Sequence, residues 1–348
     1  MTADPDRIAE ARRLLAALGV SPADLRDRPP VPTLGDYLPR VVAAAGPGAL
    51  KSYRSYWNHL LVAFGTRPLD RITATDIEQL EYHVATHVVP RRSNRDGRSA
   101  REAFIAAARA IYSRAIADDL LPAGSSPAHR VPKPRRLPST RRALTADELD
   151  QINAAARVSG DDPALDALLL RLHTETACRR AGALGLRVGD LETSECLVRL
   201  REKGQTVRWQ PISPQLTHAL AEHATGRGAR SAGSDLLRYR DGRPLTARRY
   251  DSLWTRIRGQ LLWAQAQGIS THWLRHTTLT WVERNFGYGV ARAYAGHTDS
   301  TGAATTTYIK ADIHAVATAL AAMTGQPHPL AVPVDELHPV WRRSGTGT

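Results

Sequence analysis

Cysteine is nearly absent. Two in 348 residues cannot frame a disulfide-stapled fold, so a reducing compartment, the cytoplasm, is the expected location. Also missing is any apolar run approaching the roughly 20 residues that a membrane-spanning helix needs. The N-terminus, MTADPDRIAEARRLLAALGV, mixes charges along an amphipathic pattern and lacks the apolar centre of a signal peptide. Acids are in deficit as well. Asp and Glu number 34 against 47 Lys and Arg, a net charge of +13 with His neutral. Lysine is scarce among those cations, so a preference for arginine accounts for part of the excess. The remainder favours a polyanionic partner, nucleic acid ahead of an anionic membrane.

What is present supports packed cores. Hydrophobic residues make up 42% of the chain, and its length suits two domains better than one. Residues 5–18 read as a short helix with Ile8, Ala11, Leu15 and Leu18 on one face, ended by Gly19. The proline-rich SPADLRDRPPVP then reads as loop. TLGDYLPRVVAAA and LKSYRSYWNHLLVAF predict two helices split by Gly46-Pro47-Gly48. A capping signature, Thr73 followed by Asp76, opens ITATDIEQLEYHVATHV. REAFIAAARAIYSRAIADDL places Phe104, Ala108, Ile111 and Ala115 at helical spacing.

Two basic stretches interrupt this helical region. PRRSNRDGRSAR holds Arg91, Arg92, Arg95, Arg98 and Arg101 against Asp96. HRVPKPRRLPSTRR holds Arg130, Lys133, Arg135, Arg136, Arg141 and Arg142 with no acid, and its prolines keep it extended, as an interdomain linker requires. Such runs are commonly solvated surface. In a basic chain they also suit contact with a phosphate backbone.

Beyond the linker, a capping box from Thr145 to Glu148 leads into ELDQINAAARV. A helix with Leu168, Leu169 and Leu172 then delivers HTETACRRAGALGLRVGDL. CLVRLREKGQTVRWQPIS reads as a hairpin. Cys196, Val198 and Leu200 alternate before Glu202-Lys203-Gly204-Gln205, and Val207 and Trp209 alternate after it. In LTARRYDSLWTRIRGQLL an apolar stripe of Tyr250, Leu253, Trp254, Ile257 and Leu261 is core. Arg248, Arg249, Arg256 and Arg258 lie off it, as phosphate contacts or as solvated surface.

The chemistry concentrates between Thr271 and Tyr308, from THWLRHTTLTW to YAGHTDSTGAATTTYIK. His272, Arg275 and His276 are spaced i, i+3 and i+4, which puts them on one helix face. Leu274, Thr278, Trp281 and Val282 anchor another face, and Gly287 offers a helix end. Arginine's planar fork matches phosphate oxygens, and histidine exchanges protons near neutral pH. A tyrosine activated by nearby cations can form a covalent intermediate. Together these groups suit attack on a phosphodiester.

The order His-x-x-Arg-His, Gly-His, Thr-Thr-x-Tyr resembles the second motif of the tyrosine recombinases, the phage integrase family. Thr176-Ala177-Cys178-Arg179 resembles that family's Thr-Gly-Leu-Arg segment, with Leu184, Leu186 and Asp190 as packing and turn residues behind it. Lys203 matches the family's hairpin lysine. The resemblance spans roughly Thr33 to Gly325. It implies a mainly α fold with a small β-sheet: a helical core-binding domain and a mixed α/β catalytic domain that clamp double-stranded DNA. The expected segments are an N-terminal helix and loop over 1–32, the core-binding domain over 33–129 and the basic linker over 130–143. The catalytic domain follows over 144–325 and a tail over 326–348.

By the same resemblance, Tyr308 attacks the scissile phosphate to give a 3′-phosphotyrosyl link. Arg179 and Arg275 hold the non-bridging oxygens, His272 assists with the proton, Lys203 is the general acid and His297 orients the phosphate. His276 is structural, and neither metal nor nucleotide cofactor is needed. Arg91, Arg92, Arg95, Arg135, Arg136, Arg248 and Arg249 are the expected DNA contacts, and a tetramer on DNA is the implied assembly. The helix DIHAVATALAAMTG completes its own core or docks on a neighbouring protomer.

Two features depart from the family pattern. Gly182 stands where an acidic residue usually follows the first arginine by three positions, and the interval from His297 to Tyr308 is slightly longer than usual. Three alternatives remain distinguishable: a DNA-binding protein of this fold without efficient catalysis, a topoisomerase-like nicking and closing enzyme, and a metal hydrolase using His272 and His276. The last lacks the glutamate that follows the first histidine in metalloprotease helices.

Overall fold

The structure, a computed structural model, describes residues 4–20, 30–87, 98–135, 141–201, 207–296 and 313–332. Arg91, Arg92, Arg95, Arg136, Lys203, His297 and Tyr308 lie outside them. The chain divides into two units, Met1–Pro138 and Ser139–Thr348.

The first unit is helical: α1 (Pro5–Ala17), α2 (Leu34–Ala43), α3 (Pro47–Phe64), α4 (Ala74–Thr86), α5 (Arg98–Ala117) and the short α6 (Pro127–Arg130). Pro47 opens α3 directly after its N-cap, Gly46, a position where a missing N–H costs nothing. Thr73 and Asp76 close the expected capping box. Phe104, Ala108, Ile111 and Ala115 line the core with Trp57, Leu69 and Ile77. The buried polar ends are satisfied: the Trp57 indole donates to the Ala107 carbonyl at 3.0 Å and the Tyr112 hydroxyl to that of Leu69 at 3.1 Å.

The second unit wraps helices around a small sheet. In order come α7 (Ala146–Val158), α8 (Pro163–Thr176), α9 (Arg180–Leu184), β1 (Leu191–Glu192), β2 (Leu197–Arg201), β3 (Val207–Pro211) and α10 (Pro214–Gly226). Then follow α11 (Ala247–Gln260), α12 (Leu262–Gln267), α13 (Thr271–Ala295) and α14 (Ile313–Thr324). The sheet is antiparallel in the order β1-β2-β3. Leu168, Leu169, Leu172, Tyr250, Leu253, Trp254 and Ile257 form its main core. Helix α14 packs on α13 within this unit, burying Val316, Ala319 and Leu320 against Val282 and Tyr294.

One expectation is sharpened and one needs correction. Val207 and Trp209 alternate as expected, and the structure puts them on the exposed face, 57% and 43% accessible. Val198 pairs with Gln210 and Leu200 with Arg208, and directly opposite residues share a face. The core side of β3 is therefore Arg208 and Gln210. Arg249, expected on DNA, is 4% exposed. It donates to Asp166 at 2.7 Å, to Asp161 at 2.5 Å and to the Asp162 carbonyl at 2.9 Å. Arg256 joins it on Asp166. Burying Asp166 left only a paired arginine as a workable neighbour, so Arg249 is a fixture of the core.

Candidate active site

Arg179 sits at the joint between α8 and α9. Helix α8 ends on Ala177, whose φ of 49° and ψ of 21° are left-handed, and Arg179 is the N-cap of α9. Each peptide of the turn is held. The Ala177 N–H donates to the His173 carbonyl at 3.0 Å, and the Cys178 N–H to Thr176 Oγ1 at 3.2 Å. Behind the turn, Asp190 accepts from the Arg187 N–H at 3.0 Å and pairs with Arg199 and Arg201.

His272, Arg275 and His276 lie on one face near the start of α13. The helix breaks at Gly287, where φ is 82° and ψ 169°, values that glycine tolerates at no steric cost. Arg275 is 5% exposed. Its guanidinium donates to the Ala177 carbonyl and, at 2.8 Å, to that of Ala295. One side chain thus ties the turn carrying Arg179 to the end of α13, immediately before the Gly-His pair.

Gly296 caps that end at φ 65°, and a Cβ there would run into the Arg208 side chain. Arg208 also donates to the Thr176 carbonyl at 3.3 Å. It is a residue of the site's support that the sequence reading passed over. Its signal in the sequence is the strand alternation, which does not say which face meets the core. Tyr294 is fully buried and donates to the Glu175 carbonyl, a packing role.

Arg179, His272 and Arg275 meet where two cavities adjoin. One, of about 350 Å³, continues past Arg180, Asp251, Trp254 and Arg258. The other, of about 390 Å³, continues past His276, Leu279, Tyr288 and Arg292. His272 opens to solvent on one side, yet its pKa is lowered, first by burial and then by the charges of Arg141, Arg275, His276 and Arg179. His276 is lowered by burial and by Arg141. In the sequence Arg141 is one of the linker cations. The chain just beyond it is pinned to α13, where the Leu144 N–H donates to Thr277 Oγ1 at 2.9 Å, and this brings its charge to both imidazoles. Arg135 and Arg248 are exposed. A neutral imidazole among guanidinium groups at an open cleft suits recognition of an anion and proton transfer beside it.

Residues 142–314 match the model of the phage integrase family. The tyrosine recombinase XerD of Mycobacterium leprae (strain TN) is 30% identical over 295 residues, covering 76% of this chain and 88% of its own length. XerD of Mycobacterium tuberculosis (strain CDC 1551 / Oshkosh) is 29% identical over 277 residues, covering 72% of this chain and 85% of itself. The chain is a tyrosine recombinase. Members of this family are site-specific recombinases that cut and rejoin DNA, and so is this protein. The fold agrees. A lambda integrase dimer bound to a COC′ core site superposes with a TM-score of 0.58 at 17% identity, covering 89% of this chain and 90% of that one. The Tn1549 transposon integrase in complex with circular intermediate DNA gives 0.59 at 14% identity, covering 80% and 95%. Among the described residues, no helix of this recombinase is long and apolar enough to cross a membrane.

Proposed function

We propose that the recombinase cleaves each strand of double-stranded DNA through Tyr308, forming a 3′-phosphotyrosyl link and releasing a 5′-hydroxyl. Arg179 and Arg275 hold the non-bridging oxygens and offset the negative charge that builds in the transition state. His272 accepts or shares the tyrosine proton, Lys203 protonates the leaving oxygen and His297 orients the phosphate. Rejoining reverses the step, since the phosphotyrosyl bond conserves the energy of the phosphodiester. The observation that supports this reading is the meeting of Arg179, His272 and Arg275 at one cleft. They come from elements about a hundred residues apart in sequence.

The helical unit acts as a core-binding domain and the second as the catalytic domain, joined by a linker whose Arg135 and Arg136 touch the phosphate backbone. Arg91, Arg92, Arg95 and Arg248 add further contacts. The working assembly is a homotetramer on DNA, in the cytoplasm. Relatives supply a precedent for such assembly, a lambda integrase tetramer bound to a Holliday junction.

Covalent trapping tests the proposal. The protein is incubated with duplex DNA from its own genomic neighbourhood, nicked beside each candidate cleavage position so that the released end diffuses away. The expected result is a protein–DNA band on a denaturing gel that survives chelator and is absent with Tyr308→Phe. Salt-sensitive binding without that band would overturn the assignment of the nucleophile.

A further inference from the structure

The turn carrying Arg179 is built from an unfavourable conformation. Ala177 is an L-residue at φ 49°, a region that costs a residue with a Cβ about 1 kcal/mol or more. Gly182, in the helix that follows, brings no side chain to brace the arginine. Something else has to fix the turn, and the structure contains a chain of groups behind it that no catalytic role claims.

His173 is 1% exposed and Tyr250 likewise 1%. The His173 Nδ1 lies 3.1 Å from the Cys178 carbonyl oxygen, and its Nε2 lies 2.9 Å from the Tyr250 hydroxyl. The rings meet edge to face, with centroids 5.3 Å apart. The carbonyl sets the direction of both bonds. It can only accept, and the Cys178 sulfur, 3.4 Å from the same nitrogen, is a weak second acceptor; a proton on Nδ1 serves both, which leaves Nε2 to accept from the Tyr250 hydroxyl. Burial, then the neighbouring Cys178, pushes the Tyr250 hydroxyl far above its usual pKa, which keeps it a donor at any working pH.

The carbonyl of Cys178 belongs to the same planar peptide unit as the N–H of Arg179. Fixing that oxygen fixes the plane, and the plane sets where the Arg179 side chain leaves the backbone. Resting on the proposed role of Arg179 at the phosphate, we infer that His173 and Tyr250 are positioning residues for this arginine. A Tyr250-to-His173-to-Cys178 relay holds the strained turn in the one orientation that aims Arg179 into the cleft. Both side chains are 1% exposed, although Tyr250 borders the cavity that Arg179 enters, so they act on the site through the turn. Their effect falls on the chemical step, where a misplaced guanidinium stabilises the transition state less.

The test uses the full-length protein and the nicked duplex. Single-turnover rates of covalent complex formation are measured beside DNA affinity and thermal melting. Tyr250→Phe keeps the ring and removes the donor. Its cleavage rate is expected to fall about 3- to 10-fold, the worth of one hydrogen bond, with DNA affinity unchanged at temperatures well below melting. His173→Leu should lose as much or more. His173→Asn, whose amide nitrogen falls near the Nδ1 position but has no atom in place of Nε2, should recover from the Leu level to about the Tyr250→Phe rate.

In an Arg179→Lys background, Tyr250→Phe should cost little further, because the two act through one group. Cleavage at the wild-type rate by Tyr250→Phe and His173→Leu would overturn the inference while leaving Tyr308 chemistry intact. So would a Tyr250→Phe loss that persists in full beside Arg179→Lys. A wild-type protein that forms no covalent complex would sink both this inference and the proposed nucleophile.

Discussion

Arg249 and Arg275 are almost equally buried, 4% and 5% exposed, yet their surroundings differ in kind. Arg249 is enclosed by carboxylates, pairing with Asp161 and Asp166, and Arg256 shares Asp166 with it. Burial raises the pKa of Asp166, and the two guanidinium groups pull it back. Around Arg275 the hydrogen bonds run to the carbonyls of Ala177 and Ala295. Carbonyl dipoles orient the guanidinium, and the charge of Arg275 reaches His272. One arginine is held by the carboxylates of the core, and the other by backbone carbonyls on the turn that carries Arg179 and at the end of α13.

Substituting each arginine tests that contrast. Arg249→Ala leaves the buried Asp166 with Arg256 alone, and removing one member of a buried pair costs about 3–5 kcal/mol. Chemical denaturation should show that loss, the largest effect expected here. DNA affinity measured well below the melting temperature should be preserved. Weaker DNA binding by a stably folded Arg249→Ala protein would mean that the residue contacts DNA after all.

Arg275→Lys should behave in the opposite way. Lysine keeps the charge but cannot span both carbonyls with a planar fork. Loss of a preorganised donor at the transition state slows cleavage about 10²- to 10³-fold, while the melting transition moves much less than in Arg249→Ala. Similar melting losses in both proteins, with cleavage rates spared, would erase the distinction between the two sites.

Which parts were legible in the sequence follows from the range of the interactions. The capping boxes at Thr73 and Thr145 are made within four residues, so their pattern is visible in the chain. The same holds for the apolar face of α5 and the spacing of His272 and Arg275. Arg248 and Arg249 are adjacent and chemically identical. Only the placement of Asp161 and Asp166, more than eighty residues away, decides that one is buried and the other exposed. Val207 and Trp209 showed the right period, but the period does not say which face meets the core; the pairing of β3 with β2 does. Arg141 looked like one more linker cation until Leu144 pinned the chain beside His276.

A subtler effect follows from that pinning. The pKa of His272 lies below its ordinary value, with Arg141 first among the charges responsible. The neutral imidazole is the form that accepts a proton, so cleavage should weaken as pH falls through that lowered pKa and should be insensitive to pH above about 6.5. Removing a neighbouring positive charge makes protonation easier. In Arg141→Gln the acid limb of the pH–rate profile should therefore move to higher pH, while the plateau changes only modestly. An unmoved limb would show that Arg141 does not act on His272.

The smallest effect concerns the turn itself. Ala177→Gly relieves the left-handed strain, worth about 1 kcal/mol. It also removes a methyl group buried against Val282, Tyr294 and Leu320 and loosens the unfolded chain by about 0.5–1 kcal/mol. The terms oppose one another, so the melting temperature should shift by no more than a few degrees. Cleavage is the more telling readout. With the Cys178 carbonyl and the Ala177 carbonyl held from outside the turn, glycine should leave the rate within about twofold of wild type. A large gain would mean that strain at Ala177 restrains the arginine more than its anchors direct it.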